Sequence, residues 1–316
     1  MDKFKDKLNT KIQAVMTPTK TPPPVPPRMK SDSAQKPLIL PKTPEVGSTE
    51  KFSHPPISVA PKPAPPGTAA DARRKRTLLW DWTSVRDDIP IPDIPKISPI
   101  VSCHNWNTWA PPALPSHVPF RPMFRTLEQL HAPEFEYALS QPYPIMHFLN
   151  EPERLEGVTP EVAVNLWFEK IVPLRKERGT KIVGPATASD PNGTAWLDRF
   201  MELVEQRDPS QMPNFLGLHY YGPEPQGAIV YLTERHNKYP QIPVNISEVA
   251  CISRSKEEVE RFNREFAAWA DAQPWVVEYG FFGMMRECAD DFVSPAAQLM
   301  DRNGEINAMG KWVLGV

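Results

Sequence analysis

Eight apolar runs of strand length follow one another between residues 77 and 283, and segments with helix signals separate most of them. That alternation is typical of a parallel sheet with helical crossovers, and eight strands close a (β/α)8 barrel. The sequence therefore predicts one α/β domain, a single (β/α)8 barrel of the TIM type. The predicted strands are Thr77–Trp82, Ile97–Cys103, Val118–Phe124, Ile145–Leu149, Lys181–Pro185, Phe215–Tyr220, Ile242–Ser247 and Val276–Gly283.

Two of the intervening helices have recognisable N-terminal signals. Thr159 places a capping hydroxyl before Pro160 at the first helical position. Ser255 is followed three residues later by Glu258, which is the spacing of a capping box. The connections after the first two strands are short and proline-rich, so we expect the early helices to be missing or reduced to turns.

The first 76 residues differ from the rest of the chain in composition. They hold 15 of the 40 prolines and none of the nine tryptophans, so they lack the apolar area that offsets the entropy of folding. They carry 15 Lys and Arg against 6 Asp and Glu, whereas residues 77–316 carry 21 against 32. We predict a disordered, basic, proline-rich tail over residues 1–76 and an acidic folded domain over residues 77–316. We interpret the basic run over residues 73–76 as solvated charges at the domain boundary.

One motif in the tail has a recognition spacing. Pro23, Pro26 and Arg28 have the Pro-x-x-Pro-x-Arg spacing that a polyproline II ligand presents to the aromatic groove of an SH3 domain. Prolines this dense also occur as an inert spacer. A docking site for an SH3 partner and a plain spacer are therefore both open interpretations.

Several classes of partner and compartment are disfavoured. The acidic domain argues against nucleic acid, and no stretch has the length and apolarity of a signal peptide or a membrane span. Three cysteines are not the pattern of a disulfide-stapled module. No ligand spacing for a metal ion is present, and we predict no cofactor. We expect a cytoplasmic monomer, with the cell wall or extracellular space, reached by a non-standard route, as the alternative.

The carboxyl ends of the strands, where barrels place their chemistry, carry two glutamates. Glu151 follows the fourth strand and Glu248 follows the seventh. A carboxylate at the end of a buried strand is costly unless it is hydrogen-bonded or functional, and a glycosidase needs two. The other ends supply aromatic rings and hydrogen-bonding groups that suit a sugar: Trp82, Asn105, Trp106, Arg125, Asn150, His219, Tyr220, Tyr221 and Phe282.

Some of these residues could have a purely structural role. Glu151 could be a structural carboxylate that caps the loop at Pro152, and Glu153 competes with it as the acid. Its position two residues further on, past a proline, points Glu153 back along the loop. Two interpretations of His219 are equally open: a core residue whose hydrogen bonds are satisfied, and a residue that contacts the site.

Five segments together resemble a known family. They resemble the fungal alkali-sensitive-linkage-protein-like glycosyl hydrolase catalytic domain, glycoside hydrolase family 128, and the resemblance extends from about residue 78 to 316. The Asn-Glu-Pro string alone is only moderately specific, whereas the ordered set across the strands is far more specific. The segments are Leu78–Thr83, Pro119–Met123, Phe148–Glu153, Leu216–Gly222 and Ile246–Glu248.

The resemblance implies a (β/α)8 fold and hydrolysis of β-1,3-glucan with retention of configuration. It implies that Glu151 is the general acid/base, that Glu248 is the nucleophile and that Asn150 hydrogen-bonds the sugar 2-hydroxyl. The pKa of Glu151 should then be raised, chiefly by the charge of Glu248. The aromatic residues implied to line the glucan subsites are Trp82, Trp106, Tyr220 and Tyr221.

Two other functions remain open. One is a non-catalytic glucan-binding or scaffold protein whose tail recruits an SH3 partner, and the other is hydrolysis of a different β-linked glycan. Both glutamates facing one open groove would favour an enzyme, whereas a blocked groove or splayed carboxylates would favour a binder.

Overall fold

A computed structural model describes the protein over residues 74–81, 83–84, 89–288 and 292–316. Trp82 and the part of the tail that contains Pro23, Pro26 and Arg28 lie outside these residues. The described chain alternates parallel strands with helices, which is the predicted α/β class. The strands are β1 (Arg76–Leu79), β2 (Ile100–His104), β3 (Met123–Phe124), β4 (Ile145–Phe148), β5 (Lys181–Val183), β6 (Leu216–Gly222), β7 (Val244–Cys251) and β8 (Val276–Phe281).

The helices are α1 (Leu127–His131), α2 (Pro133–Ser140), α3 (Pro160–Leu166), α4 (Val172–Arg178), α5 (Pro191–Arg207), α6 (Pro225–Lys238), α7 (Lys256–Ala272) and α8 (Ala308–Leu314). A π-helical turn over Trp167–Ile171 joins α3 to α4, and 3-10 turns occur at Pro152–Arg154, Pro209–Gln211 and Pro295–Ala297. The connection over residues 105–122, described throughout, contains no helix, as expected. None of the helices in the described ranges is long and apolar enough to cross a membrane.

Both predicted helix caps are present. The Thr159 hydroxyl accepts a hydrogen bond from the backbone N–H of Val162 at 3.3 Å, ahead of α3. The Ser255 hydroxyl accepts one from the backbone N–H of Glu258 at 3.2 Å, ahead of α7. Each cap satisfies a donor that the first helical turn would otherwise leave unpaired.

Parallel pairing orders the strands in two sheets. One has the order β2-β1-β8-β7-β6 and the other the order β3-β4-β5. Isolated parallel bridges join the sheet edges at Cys103 with Phe120 and at Val183 with Phe215. Because the strands are parallel, their carboxyl ends emerge at the same side of the sheets. That side carries Glu151 and Glu248.

The apolar core behind β4 holds the strand that leads to Glu151. Phe148, at the end of β4, contacts the ring of Trp167 at 5.4 Å between centroids and that of Phe200 in α5 at 6.4 Å. All three side chains are fully buried. Close packing of this kind leaves the end of β4 little freedom, so it fixes where the following loop starts.

A bulge in β7 decides where the second glutamate points. Leu218 and His219 of β6 pair with Ile246 and Glu248, so β7 contains one extra residue, Ser247. The pairing with β8 shifts at the same place. A bulge interrupts the alternation of a strand, and both Ser247 and Glu248 therefore reach His219. The prediction that β7 ends at Ser247 is wrong, because the strand continues beyond Glu248.

The folded domain begins earlier than predicted. Lys75 and Arg76 are 4% and 9% exposed, so the interpretation of this run as solvated is wrong for both. The Lys75 ammonium donates to the carbonyl oxygens of Ala270 at 2.9 Å and Gln273 at 2.6 Å, at the end of α7. The Arg76 guanidinium lies 4.1 Å above the ring of Trp312 and donates to its carbonyl oxygen. Both cations satisfy the carbonyls at helix C-termini, where positive charge is favoured.

Candidate active site

Glu151 and Glu248 line one cavity, and His219 contacts both of them. One carboxylate oxygen of each glutamate and one ring nitrogen of His219 all lie within 4.8 Å of one another. The cavity has a volume of about 560 Å³. The residues that line it are Glu151, Arg154, Ala188, Ser189, Asp190, Tyr221, Glu248, Phe282, Phe292 and Val293.

Two neutral donors hold the Glu248 carboxylate. Its side chain is 7% exposed. The indole N–H of Trp106 donates to Oε1 at 2.7 Å, and the hydroxyl of Tyr221 donates to Oε2 at 2.6 Å. A hydrogen bond on each oxygen satisfies the buried group and fixes the plane of the carboxylate.

Two basic side chains, those of His219 and Arg154, contact the Glu151 carboxylate instead. Nδ1 of His219 lies 3.1 Å from Oε1, and Nε of Arg154 lies 3.1 Å from Oε2. Burial raises the pKa of Glu151, but the hydrogen bonds and charges of His219 and Arg154 outweigh burial and hold the pKa below its ordinary value. The expectation of a raised pKa is therefore wrong. That expectation took account of the charge of Glu248 and left out the two basic side chains.

His219 is completely buried and contacts both glutamates. Nδ1, which faces Glu151, also lies 3.5 Å from Oε2 of Glu248, and Nε2 lies 3.0 Å from the hydroxyl of Ser247. Burial lowers the pKa of His219, but the charges of Glu248 and Glu151 outweigh burial and raise it. Of the two open interpretations of His219, the structure supports contact with the site.

The three side chains are also the one group of His, Cys, Asp and Glu atoms in the described ranges that is close enough to surround a metal ion. A histidine ligand offers a metal the lone pair of a neutral ring nitrogen. Nδ1 of His219 faces two carboxylates that can only accept when ionised, so a proton suits this position better.

Backbone strain is concentrated around the two carboxylates. Among the described residues, those with positive φ other than glycine are Trp106 at 58°, Leu149 at 59° and Glu151 at 41°. A left-handed conformation costs such residues on the order of 1–3 kcal/mol and persists only where the surroundings enforce it. All three lie beside Glu151 or Glu248, as expected for a site whose geometry is constrained by function.

Only one of the two adjacent tyrosines in β6 reaches the cavity. Tyr221 lines the cavity, whereas Tyr220 points to α6, where its ring lies 6.1 Å from that of Tyr231. The Tyr220 hydroxyl rests against Gly227, where an added Cβ would lie 2.2 Å from it. Successive side chains of a strand point to opposite faces, so of the two predicted tyrosines only Tyr221 lies at this cavity.

The remaining predicted residues divide between the cavity and its support. Phe282 lines the cavity, and its ring lies 5.5 Å from that of Trp106. Asn150 follows β4 with a buried amide oxygen that has no hydrogen-bond partner among the described residues. Asn105, predicted as a substrate contact, is buried, and its amide donates to the carbonyl oxygen of Trp109 at 3.1 Å within its own loop. Arg125 is not among the cavity-lining residues.

Sequence reasoning missed six of the ten residues that line the cavity, among them Arg154, Asp190 and Phe292. Arg154 bridges Glu151 and Asp190, and its guanidinium donates to Oδ2 of Asp190 at 3.0 Å. Arg154 follows Glu151 by three residues in a tight turn, and this spacing could have indicated that it belongs to the site. Asp190 is the N-cap of α5 and is followed by a proline. The sequence can therefore indicate Asp190 as a helix cap but not as a residue of the cavity. Phe292 lies in a loop beyond β8, and no pattern in the sequence indicates its role.

Glu153, the competing acid, is not among the residues that line the cavity. Its side chain is 1% exposed, and Oε1 accepts a hydrogen bond from the backbone N–H of Ala188 at 2.8 Å. Burial, followed by the charge of Glu151, raises the pKa of Glu153. This contact ties the turn that follows Glu151 to the loop that precedes α5.

The chain is similar to known proteins over most of its length. The family model described as the glycosyl hydrolase catalytic core matches residues 82–313. Among solved structures, the chain is similar to a subgroup VI exo-β-1,3-glucanase of glycoside hydrolase family 128 from Aureobasidium namibiae. The two are 40% identical over 77% of this chain and 97% of that chain, with a TM-score of 0.72. None of the curated proteins matches the chain.

Two more distant structures share the fold. The subgroup IV endo-β-1,3-glucanase from Lentinula edodes is 22% identical over 76% of this chain and 99% of that chain, with a TM-score of 0.63. The subgroup III curdlan-specific exo-β-1,3-glucanase from Blastomyces gilchristii, solved with glucose, is 18% identical over 78% and 100%, with a TM-score of 0.61. Together with the paired carboxylates, the comparisons confirm the family resemblance: the chain belongs to glycoside hydrolase family 128 and is a glycosyl hydrolase.

Proposed function

We propose that the protein hydrolyses β-1,3-glucan with retention of configuration, with Glu248 as the nucleophile and Glu151 as the general acid/base. The observation that carries the proposal is the distance of at most 4.8 Å between carboxylate oxygens of these residues at one cavity. Retaining glycosidases hold their carboxyl groups about 5 to 5.5 Å apart, and inverting ones about 6.5 to 9.5 Å apart. The shorter distance leaves no room for the water that inversion places between them.

The surroundings of the two glutamates support this division of roles. Glu248 is the more buried, and hydrogen bonds from Trp106 and Tyr221 fix its orientation, as an attacking oxygen requires. The side chain of Glu151 is 23% exposed at the cavity, where a leaving group, and later a water molecule, can reach it. Both face one open cavity, which favours an enzyme over the non-catalytic binder.

The chemistry takes two displacements. In the first, a Glu248 oxygen attacks the anomeric carbon while the leaving oxygen receives a proton from Glu151, which leaves a glycosyl ester on Glu248. In the second, Glu151 takes a proton from water, which attacks the same carbon and releases Glu248. The unpartnered amide oxygen of Asn150 can accept a hydrogen bond from the sugar 2-hydroxyl. The rings of Tyr221, Phe282 and Phe292 offer apolar faces to the sugar.

The choice of β-1,3-glucan rests on the relative from Aureobasidium namibiae, an exo-β-1,3-glucanase that is 40% identical to this chain. The same relative favours exo over endo action. Exo action predicts that glucose, or one short product, dominates from the earliest times in a laminarin digest. Endo action would give a ladder of oligosaccharides instead.

For the fold, we propose that the two sheets form one closed (β/α)8 barrel with reduced early helices. The pairing of β1 with β8 and the isolated bridges at both sheet edges support closure. Closure would give all eight strand ends a common mouth around the cavity.

The stereochemistry of the first product tests the proposed function. With laminaripentaose as substrate, proton NMR should detect the β-anomer of the new reducing end first, and the α-anomer only as mutarotation proceeds. Retention follows from two displacements at one carbon. The α-anomer appearing first would contradict the proposed mechanism, and the absence of any hydrolysis would contradict the proposed substrate.

A further inference from the structure

We infer that His219 stores the proton that Glu151 delivers to the leaving oxygen, and that it holds this proton between the two glutamates. The inference rests on the proposed roles of Glu151 and Glu248. It makes His219 a positioning residue that acts through Glu151 and does not touch the sugar.

The geometry places a proton on Nδ1 of His219. This nitrogen lies 3.1 Å from Oε1 of Glu151 and 3.5 Å from Oε2 of Glu248. Ionised carboxylates only accept hydrogen bonds, so a bare nitrogen between them would be repelled by both. A protonated Nδ1 is attracted by both and bonds to the nearer one.

Ser247 allows the ring of His219 to gain and lose a proton without breaking its other contact. Nε2 lies 3.0 Å from the Ser247 hydroxyl. The proton that moves is the one on Nδ1, so Nε2 keeps its own proton in both charge states and the hydroxyl oxygen accepts a hydrogen bond from it. The bulge that places Ser247 beside Glu248 therefore gives His219 a partner that suits both of its charge states.

The charges around His219 keep the proton on this ring. Burial lowers the pKa of His104 to about 4 and that of His147 well below its usual value, so both stay neutral and do not compete for the proton. The pKa of His219 is raised and that of Glu151 is lowered. Nδ1 of this buried ring lies within 3.5 Å of both carboxylates, and two negative charges so close stabilise the imidazolium. We therefore assign a cationic His219 beside an anionic Glu151 to the resting site. The ionisable groups that act on His219 directly are Glu151, Glu153, Glu248, His104 and His147.

The proton must therefore move before or during bond cleavage. In the first displacement, Nδ1–H of His219 transfers its proton to Glu151, which passes a proton to the glycosidic oxygen. The bond between that oxygen and the anomeric carbon breaks, and its electron pair goes to the oxygen. A Glu248 oxygen forms the new bond to carbon. His219 is then neutral, Glu151 anionic and Glu248 esterified, so the total charge is unchanged.

The second displacement restores the starting state. Water attacks the anomeric carbon and gives a proton through Glu151 to Nδ1 of His219. The ester bond breaks, and its electron pair returns to Glu248. Because esterification removes the negative charge of Glu248, the hold on the His219 proton weakens as the covalent bond forms. Proton release is thereby coupled to nucleophilic attack.

The His219→Asn variant tests the relay, because the asparagine amide can donate near the Nδ1 position but cannot pass a proton on. We expect kcat/KM for laminarioligosaccharides to fall by roughly 10²-fold or more. For a dinitrophenyl β-glucoside, whose leaving group needs no proton, the fall should be far smaller. The basic limb of the pH profile on oligosaccharides should move to lower pH, because a carboxyl group alone must then hold the proton. Equal losses on both substrates with an unmoved basic limb would overturn the inference.

A measurement that is independent of activity uses ¹⁵N NMR of the histidine rings in the wild-type enzyme. The His219 signals, identified by their loss in His219→Asn, should report two ring protons at pH 7. In Glu248→Gln, the titration midpoint of His219 should move down, because one attracting charge is gone. A neutral His219 at pH 7 in the wild-type enzyme would overturn the relay even if the protein hydrolyses β-1,3-glucan with retention. Absence of hydrolysis would instead overturn the proposed function.

Discussion

Glu248→Ala is expected to lower the rate of laminarin hydrolysis by about 10⁴-fold or more, the scale on which enzymes respond to loss of a covalent nucleophile. Alanine leaves the anomeric carbon without an attacking group and also removes the acceptor that Trp106 and Tyr221 share. Release of reducing sugar, followed over hours at high enzyme concentration, measures the loss. A thermal melt confirms that the variant is folded.

Glu156→Ala is the matched control for this loss, because Glu156 is exposed on the loop just beyond the turn that follows Glu151. It should retain the wild-type rate. Azide supplies a second check, since a small anion can enter the space left by the Glu248 carboxylate and attack the sugar once, with inversion. Glu248→Ala should therefore yield an α-glycosyl azide from an activated β-glycoside. A rate within tenfold of wild type would contradict the role of Glu248.

Glu151→Ala is expected to separate substrates by their leaving groups. The rate on laminarioligosaccharides should fall by about 10²- to 10⁴-fold, the range that general acid–base catalysis contributes. The kcat/KM for a dinitrophenyl β-glucoside should fall far less, since dinitrophenolate leaves without a proton. Steady-state kinetics on the two substrates measure the difference.

Glu151→Ala and His219→Asn are both expected to show this dependence on the leaving group. Azide is therefore needed to distinguish the two variants. In Glu151→Ala the anion takes the place of the activated water and should produce a β-glycosyl azide, the opposite anomer to that of Glu248→Ala. Glu153→Gln is the matched control and should show no dependence on the leaving group, since Glu153 faces Ala188. Equal losses of Glu151→Ala on both substrates would contradict its assignment as the acid.

The periodicity of the sequence was sufficient to place the strands and both glutamates. Apolar runs and caps such as Thr159 are local signals, and the structure has strands overlapping all eight predicted ones. The bulge at Ser247 could not be predicted from the sequence, because it depends on the register of β7 against both neighbouring strands. The opposite directions of Tyr220 and Tyr221 could have been predicted, since adjacent side chains of a strand point to opposite faces of the sheet.

Electrostatics were predicted less well than position. The pKa of Glu151 depends on His219, Arg154 and the burial of each, and these meet only through tertiary contacts. The same holds for Lys75 and Arg76, whose charges were interpreted as solvated because their partners are carbonyls some 200 residues further along the chain. Charge patterns along a sequence carry no information about such distant acceptors.

The most direct test of the central claim is the identification of the residue that becomes covalently attached to sugar. A dinitrophenyl 2-deoxy-2-fluoro-β-glucoside should transfer its fluoroglucosyl group to the nucleophile quickly, and the resulting ester should hydrolyse slowly. The fluorine destabilises both oxocarbenium-like transition states, while the good leaving group speeds the first step. Mass spectrometry of the peptides should find one fluoroglucosyl group, attached to Glu248. Attachment to Glu151 or Glu153, or none in an enzyme that cleaves the parent glucoside, would contradict the assignment.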